Sequence, residues 1–244
     1  MDTTQIQAIL FDVGNTLSRS ASLSSSLADI ANTQVPVKLN LSVHQLLKIG
    51  VEIEQEISRL YEVERLDQPD WKDVWQAGIE NCGLDFADDA VEALCRAHLE
   101  QYLRNCEVES YSIPLLEYLR KVKIPIGLVS NVTGPSEIFE RDLSEKGLRS
   151  YFDNVVWSSR VGVRKPNPEI YQIALEGLKL EPSRLIVMVG DHEIADILGG
   201  KQMGFTTVKV VPHGGGSESA ADHVVTGAEL QKFLETKFTS SKAS

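Results

Sequence analysis

The chain has 244 residues, enough to bury a sizeable core as one large domain or as a core with a smaller companion. Its 42% apolar and 24% charged content is ordinary for a globular protein. Its net charge of −11 argues against the basic surface that binding to nucleic acid or a polybasic membrane contact needs. A phosphorylated substrate stays open, because a cation or a local lysine reverses the sign of the field inside a cleft.

The start, Met1-Asp2-Thr3-Thr4, lacks the basic opening and apolar run of a signal peptide, and no stretch approaches the roughly 20 apolar residues of a membrane helix. The three cysteines, Cys82, Cys95 and Cys106, are odd in number and spaced unlike a metal knuckle. They read as reduced thiols, and a cytoplasmic location is expected.

In chain order, Ile6 to Val13 is a short apolar run and predicts a buried parallel strand. Ser20 to Ser26 is serine-rich and predicts a flexible connector. Leu46, Leu47, Ile49, Ile53, Ile57 and Leu60 then recur at helical spacing, as do Val74 and Ile79, and Val91, Leu94 and Leu99. This middle block reads as all-helical, without a strand. After about Val108 strands and helices alternate. Helices are expected at Leu115–Lys121, Glu137–Lys146 closed by Gly147, Pro168–Gly177, Ile194–Met203 closed by Gly204, and Ala228–Leu234. Strands are expected at Ile124–Ser130, Val155–Ser158, Leu185–Val189, Thr206–Val211 and His223–Val225. Gly214-Gly215-Gly216-Ser217 reads as a surface turn and Thr239 to Ser244 as a frayed end.

This pattern predicts an α/β fold, a Rossmann-like doubly wound parallel sheet with a smaller all-helical cap. The expected division is residues 1–17 and 109–244 for the core and 18–108 for the cap. Ligands of open parallel sheets bind beyond the carboxyl ends of the strands, where an inserted helical block can close as a lid.

Four strand ends carry polar groups: Asp12 after the first, Ser130-Asn131 at the second, Lys165 after the third, and Gly190-Asp191 at the fourth, with Asp196 five residues on. Alone, each has a common structural explanation as a cap, a turn or solvated surface. Together, in order on successive strands, they suit one chemistry. A carboxylate can attack phosphorus and split one hard displacement into two easier steps. The charge on the phosphoryl oxygens needs cations and donors, which Lys165 and Ser130 supply. Asp12 and Asp191 together offer the oxygen ligands that Mg²⁺ prefers. Asp196 either orients Lys165, holds water near the metal, or is an exposed helix residue.

Asp12-Val13-Gly14-Asn15-Thr16-Leu17, Ser130-Asn131, Lys165-Pro166-Asn167-Pro168-Glu169-Ile170-Tyr171 and Gly190-Asp191 through Asp196 resemble the four signatures of the haloacid dehalogenase-like hydrolases. The helical insert resembles the cap of the subgroup containing phosphoglycolate phosphatases and haloacid dehalogenases. The resemblance implies a Rossmann-like core, an aspartyl intermediate and Mg²⁺. It further implies Asp12 as nucleophile, Thr16 and Ser130 as phosphate or loop-orienting groups, Lys165 as charge stabiliser and Asp191 as metal ligand. Two positions depart from the pattern. Phosphatases of the family carry a second Asp two residues after the nucleophile, which protonates the leaving alcohol. Here Gly14 stands there, able to offer a metal only its backbone carbonyl. Ala195 replaces a frequent Asn.

The expected function is therefore a Mg²⁺-dependent phosphatase of a small phosphorylated metabolite, weakened in leaving-group protonation. Two other readings stay open. Haloacid dehalogenases also lack the second Asp and need no metal, and a catalytically weak phospho-ligand-binding protein would also keep the other groups. Some further residues lack a defining pattern. His192 and Glu193 adjoin Asp191, and Trp71 and Trp75 lie one helical turn apart. Arg59, Arg65, Arg96 and Arg104 are cap residues of unknown facing. His44, His98, His213 and His223 share no metal spacing.

Overall fold

A computed structural model describes residues 6–62, 66–212 and 218–238 of the chain. Arg65, His213, the glycine run 214–217 and the end 239–244 lie outside the described residues. The first strand, β1 (Ala8–Phe11), is followed by the two-residue β2 (Ser18–Arg19). Five helices come next: α1 (Leu23–Asp29), α2 (Gln34–Lys38), α3 (Val43–Glu62), α4 (Trp71–Asn81) and α5 (Asp88–Asn105). A second two-residue strand, β3 (Glu107–Val108), leads into α6 (Ser112–Lys121), β4 (Ile126–Ser130), α7 (Ser136–Glu145) and β5 (Asn154–Trp157). The short α8 (Ser158–Val161), then α9 (Pro168–Leu178) and β6 (Ile186–Gly190), follow. A π-helical turn over Glu193–Leu198 runs into α10 (Gly199–Gln202), and β7 (Thr206–Val211), β8 (His223–Thr226) and α11 (Gly227–Phe238) complete the described chain.

Six strands form one parallel sheet in the order β5-β4-β1-β6-β7-β8. Its apolar runs are continuous because both faces are covered. Ile9, Phe11, Val187 and Val189 point into a cluster with Leu115, Leu119 and Leu230 from α6 and α11. Their neighbours Ala8, Leu10, Ile186 and Met188 point the other way, onto Ile170, Tyr171, Ala174 and Leu175 of α9. That alternation is the period of two of a pleated strand. The chain builds outward from β1 to β4 and β5, then crosses to β6 on the other side. The order of strands thus reverses beside β1, which opens a crevice at its carboxyl end.

The helices between β2 and β3 have their own core, with Leu27, Leu46, Ile49, Ile53, Trp75, Ile79 and Leu94 among its buried members. Trp75 is buried and Trp71 packs beside it, so the tryptophan pair is core rather than pocket lining. The expectation of a strand-free middle block needs correction at its edges. Where the chain leaves and re-enters the sheet region, Ser18 pairs with Val108 and Arg19 with Glu107, antiparallel. Strands of two residues carry too little periodicity to be seen in sequence. The Ser20–Ser26 run, expected as a flexible connector, is also different. Helix α1 begins inside it, with the Ser22 hydroxyl accepting from the Ser25 N–H at 3.2 Å. Serine is a favoured helix cap, and Leu27 and Ile30 bury the apolar side of the turn. Composition misled here because the capping role outweighed the disorder tendency. No helix among the described residues is long and apolar enough to cross a membrane. All three cysteines are free thiols.

Helices α1 and α3 approach closely at Gly50, where an added Cβ would stand 2.5 Å from the Ser24 Cα. Helix propensity alone favours alanine there by about 1 kcal/mol. Overpacking against backbone, which has no flexible tip to yield, costs ~1–3 kcal/mol or more. Gly50→Ala is therefore expected to lower stability in a denaturant titration, and a more stable variant would contradict this packing.

Candidate active site

The four strands that end in polar groups are neighbours in the sheet, β5-β4-β1-β6, so their carboxyl ends bring those groups together. Asp12 follows β1 directly and is 8% exposed. Its Oδ1 accepts hydrogen bonds from the Lys165 ammonium at 2.8 Å and from the Ser130 hydroxyl at 3.2 Å. Lys165 also donates to Asp196 Oδ1 at 2.5 Å. The lysine and Asp196 are both 1% exposed. Of the readings open for Asp196, the lysine-orienting one matches its placement.

Asn131 fixes the loop that carries the lysine. Its side chain accepts from the Lys165 N–H at 2.8 Å and donates to the Lys165 carbonyl at 2.9 Å. On the other side, the π-helical turn sets Asp196. Its Oδ2 accepts from the His192 N–H at 3.0 Å, and His192 caps the turn by accepting from the Ala195 N–H at 3.1 Å. Gly190 is required by this arrangement, since a Cβ there would meet the Asp196 carboxyl carbon at 2.2 Å. The expected regular helix at Ile194–Met203 is thus a π turn followed by α10. Such turns recur at functional sites because they re-aim one side chain. Composition gives no sign of that extra residue in the turn.

Asp12, Asp191 and Asp196 offer ligand oxygens within 4.8 Å of one another. Burial, then the charges of Asp12 and Asp196, push the Asp191 carboxyl up to about 7. Burial does the same to Asp196, up to about 6, against the pull of Lys165. For Lys165 burial acts downward, but Asp12 and Asp196 outweigh it and hold the ammonium well above its ordinary range. Three carboxylates thus face one lysine, and an all-oxygen set with surplus negative charge suits a hard divalent cation.

Other expected residues fall differently. Thr16 is fully buried, its carbonyl accepts from the Tyr111 hydroxyl, and its own hydroxyl has no hydrogen-bond partner among the described residues. Gly14 lies beside Asp12, with no positive φ, and a Cβ there would meet only the Ser20 hydroxyl oxygen at 3.3 Å and Asp12 Oδ2 at 4.0 Å. Glu193 stands apart from the carboxylate cluster. It accepts from Lys209 at 2.8 Å, Ser219 at 2.7 Å and the Ala220 N–H at 2.7 Å. Arg59 pairs with Glu56, Arg96 with Glu92 and Glu137 at 2.9 Å each, and Arg104 with Glu100 at 3.9 Å. None of these three arginines joins the site. His98 is buried between Trp75 and Tyr102, and burial lowers its imidazole to about 4.

Two hollows open on the site. A cavity of about 100 Å³ is lined by Gly14, Ser20, Tyr102, Ser130, Asn131 and Lys146. A broader depression of about 790 Å³, lined by Tyr111, Lys209 and Thr226, touches the carboxylate cluster only through Asp191. The smaller one is the relevant cavity, because it reaches the groups around Asp12. Ser20 and Tyr102 escaped sequence reasoning, since neither belongs to a spaced motif.

The family model for haloacid dehalogenase-like hydrolases matches residues 6–204. The chain belongs to that family and is a hydrolase. It is 29% identical over 209 residues to the glyceraldehyde 3-phosphate phosphatase of Methanopyrus kandleri, covering 84% of each chain. It is 41% identical over 88 residues to the pyrimidine 5'-nucleotidase YjjG of Escherichia coli, a match spanning 36% of this chain and only 38% of that protein. The solved structure of a phosphatase of this family from Thermococcus onnurineus superposes with a TM-score of 0.66 at 28% identity, covering 94% of this chain and 98% of that one.

The raised Asp191 carboxyl links stability to pH. A carboxyl whose folded pKa lies above its unfolded value contributes stability that is complete below the unfolded value and is lost as pH rises through the folded one. For Asp191 that window runs from its ordinary value of 3.8 to about 7. In metal-free buffer, Asp191→Asn is expected to melt above the wild type near about pH 8 and by a clearly smaller margin near about pH 5, which lies inside that window. An equal difference at both would contradict the assigned cause.

Proposed function

We propose that this chain is a Mg²⁺-dependent phosphatase that acts on a small phosphorylated metabolite through an aspartyl-phosphate at Asp12. The observation that carries the reading is Asp12 at the end of β1, bonded to Lys165 and Ser130 and within 4.8 Å of two further carboxylates. Glyceraldehyde 3-phosphate phosphatase and pyrimidine 5'-nucleotidase among the relatives support phosphate as the group removed.

The Asp12 carboxylate attacks phosphorus, and the bond to the leaving oxygen breaks. Lys165 neutralises negative charge shared between Asp12 and the phosphoryl group, and Ser130 donates to a phosphoryl oxygen. Asn131 keeps the lysine loop in register, and Asp196 keeps the ammonium from swinging away. Water then attacks the aspartyl-phosphate and releases phosphate. Asp12, Asp191 and the Gly14 carbonyl would hold Mg²⁺, which supplies charge neutralisation and orientation. Thr16 is assigned to the phosphate end of the site.

The helical block 18–108 serves as a cap over a core formed by 1–17 and 109–244. Its separate hydrophobic cluster supports this, as does its reach across to the core: Gln68 donates from its backbone to the Gly162 carbonyl at 3.1 Å and from its side chain to the Val132 carbonyl at 3.3 Å. The small cavity beneath the cap supports a compact leaving group. The free thiols support a cytoplasmic setting.

Carbon–halogen cleavage is the weaker reading, because an Asp191 carboxylate poised beside Asp12 has little use there. Ligand binding without turnover is the other alternative, favoured only by the missing side chain at Gly14. Mg²⁺-dependent phosphate release from aryl and acyl phosphates supports the phosphatase. Metal-independent halide release from a 2-haloacid, or tight phosphate-ligand binding without release, would replace it.

Asp12→Asn is expected to abolish phosphate release, and wild-type rates in that variant would rule out the covalent route. In Gly14→Asp the new Cβ stands 3.3 Å from the Ser20 hydroxyl oxygen, a flexible side-chain atom that has to give by a few tenths of an ångström. The variant is expected to raise kcat on alkyl phosphates by about 10²-fold, the low end of what a positioned acid contributes. No gain would mean that the loop or cap has diverged in more than this side chain.

A further inference from the structure

A phosphatase with Gly14 two residues after its nucleophile still has to protonate an alkoxide. That base is about as strong as hydroxide. The backbone does not explain the glycine, since Gly14 has no positive φ and a Cβ would press only on a side-chain hydroxyl. The space on that side is faced by another hydroxyl. The atom nearest the position of a Gly14 Cβ is the Ser20 Oγ, at 3.3 Å. Ser20 is anchored to the same loop, its backbone N–H donating to Asn15 Oδ1 at 3.1 Å. From α5, Tyr102 lines the same side of the site, where its phenol interacts with Cys106, with the Ser20 hydroxyl and with the charge of Asp12. Gly14, Ser20, Tyr102 and Ser130 line the same small cavity.

We propose that the Ser20 hydroxyl hands the leaving oxygen its proton and is refilled by Tyr102, the pair replacing the carboxylic acid absent at Gly14. This rests on the phosphatase reading above. As Asp12 attacks phosphorus and the phosphorus–oxygen bond to the leaving group breaks, the leaving oxygen takes the Ser20 proton. Ser20 takes the Tyr102 proton, which leaves a phenolate. When water attacks the aspartyl-phosphate, its proton returns through Ser20 to the phenolate. The aspartyl bond breaks, phosphate leaves, and the Asp12 carboxylate is restored. Burial, then the neighbouring Cys106, raises the Tyr102 phenol, so it stays protonated near neutrality. Ser20 would touch the substrate. Tyr102 acts through it and is a positioning and relay residue.

The test compares nitrophenyl phosphate, whose leaving group needs no proton, with unsubstituted phenyl phosphate, which is similar in shape but leaves as a stronger base. Both are assayed with Mg²⁺ on the full chain, reading kcat/KM, which reports the steps through loss of the leaving group. Ser20→Ala is expected to lower kcat/KM for phenyl phosphate by about 10²-fold and Tyr102→Phe by about 10-fold. The loss on nitrophenyl phosphate should be at least about 10-fold smaller than that on phenyl phosphate, and circular dichroism reports that each variant is folded. Equal losses on both substrates, or none on either, overturn the relay. A selective loss in Ser20→Ala alone overturns the part given to Tyr102. A wild type that releases no phosphate from nitrophenyl phosphate sinks the phosphatase reading itself and the relay with it.

Discussion

Lys165 is an ammonium group with almost no access to water, held between two carboxylates by bonds of 2.8 and 2.5 Å. Burying such a charge costs several kcal/mol, which only close, well-bonded partners offset. Asp12 and Asp196 therefore have to be in place for the lysine to be tolerated. The lysine in turn has to be there for two carboxylates to lie so close. Much of the surrounding structure serves this mutual dependence. Asn131 clamps the backbone on either side of the lysine Cα. The π turn aims Asp196, and Gly190 leaves space for its carboxyl. A single ammonium still leaves three carboxylates under-neutralised, so the site is built around a deficit of positive charge. A divalent cation would offset that deficit, and a phosphoryl group, itself an anion, would deepen it.

The sheet topology explains why this group of residues was readable. Each strand ends near the crevice beside β1, so a polar residue at a strand end is already close to any other such residue on a neighbouring strand. Asp12, Ser130 and Asp191 needed only correct strand assignments, since strands buried on both faces announce themselves as apolar runs, whereas Lys165 lies beyond α8 and is brought back by the Asn131 clamp. Helix ends marked by Gly147 and Gly204 were legible for a local reason: both glycines take positive φ, 71° and 75°, just past a helix.

What was not legible depended on tertiary contacts. Ser22 caps α1 only because Leu27 and Ile30 have a core to enter. The π turn at Glu193 needs one extra residue's worth of winding, which packing around Asp196 selects and propensity does not. The β2–β3 pair exists because both chain crossings pass through one place. Ser20 and Tyr102 are 82 positions apart by their numbering, and only the folding of α5 over the first strand's loop brings them together. An arginine's presence in the insert told nothing of its direction, and Arg59, Arg96 and Arg104 turned out to hold surface carboxylates.

Gly14 then acquires a physical meaning that its letter in the sequence lacked. Glycine is often kept because a turn needs positive φ or because another group crowds the Cα. At this position φ is not positive and the crowding is slight, one hydroxyl oxygen 3.3 Å from a Cβ, whereas both reasons act strongly elsewhere, at Gly147 and at Gly190. The neighbouring Asn15, with φ of 52°, absorbs the left-handed step of the loop instead. The loop backbone would thus accept a side chain at Gly14 once the Ser20 hydroxyl gives by a few tenths of an ångström. The space beside Asp12 that a side chain at Gly14 would enter is faced by the Ser20 hydroxyl, so a site of three carboxylates around one ammonium meets a neutral group there rather than a fourth acid.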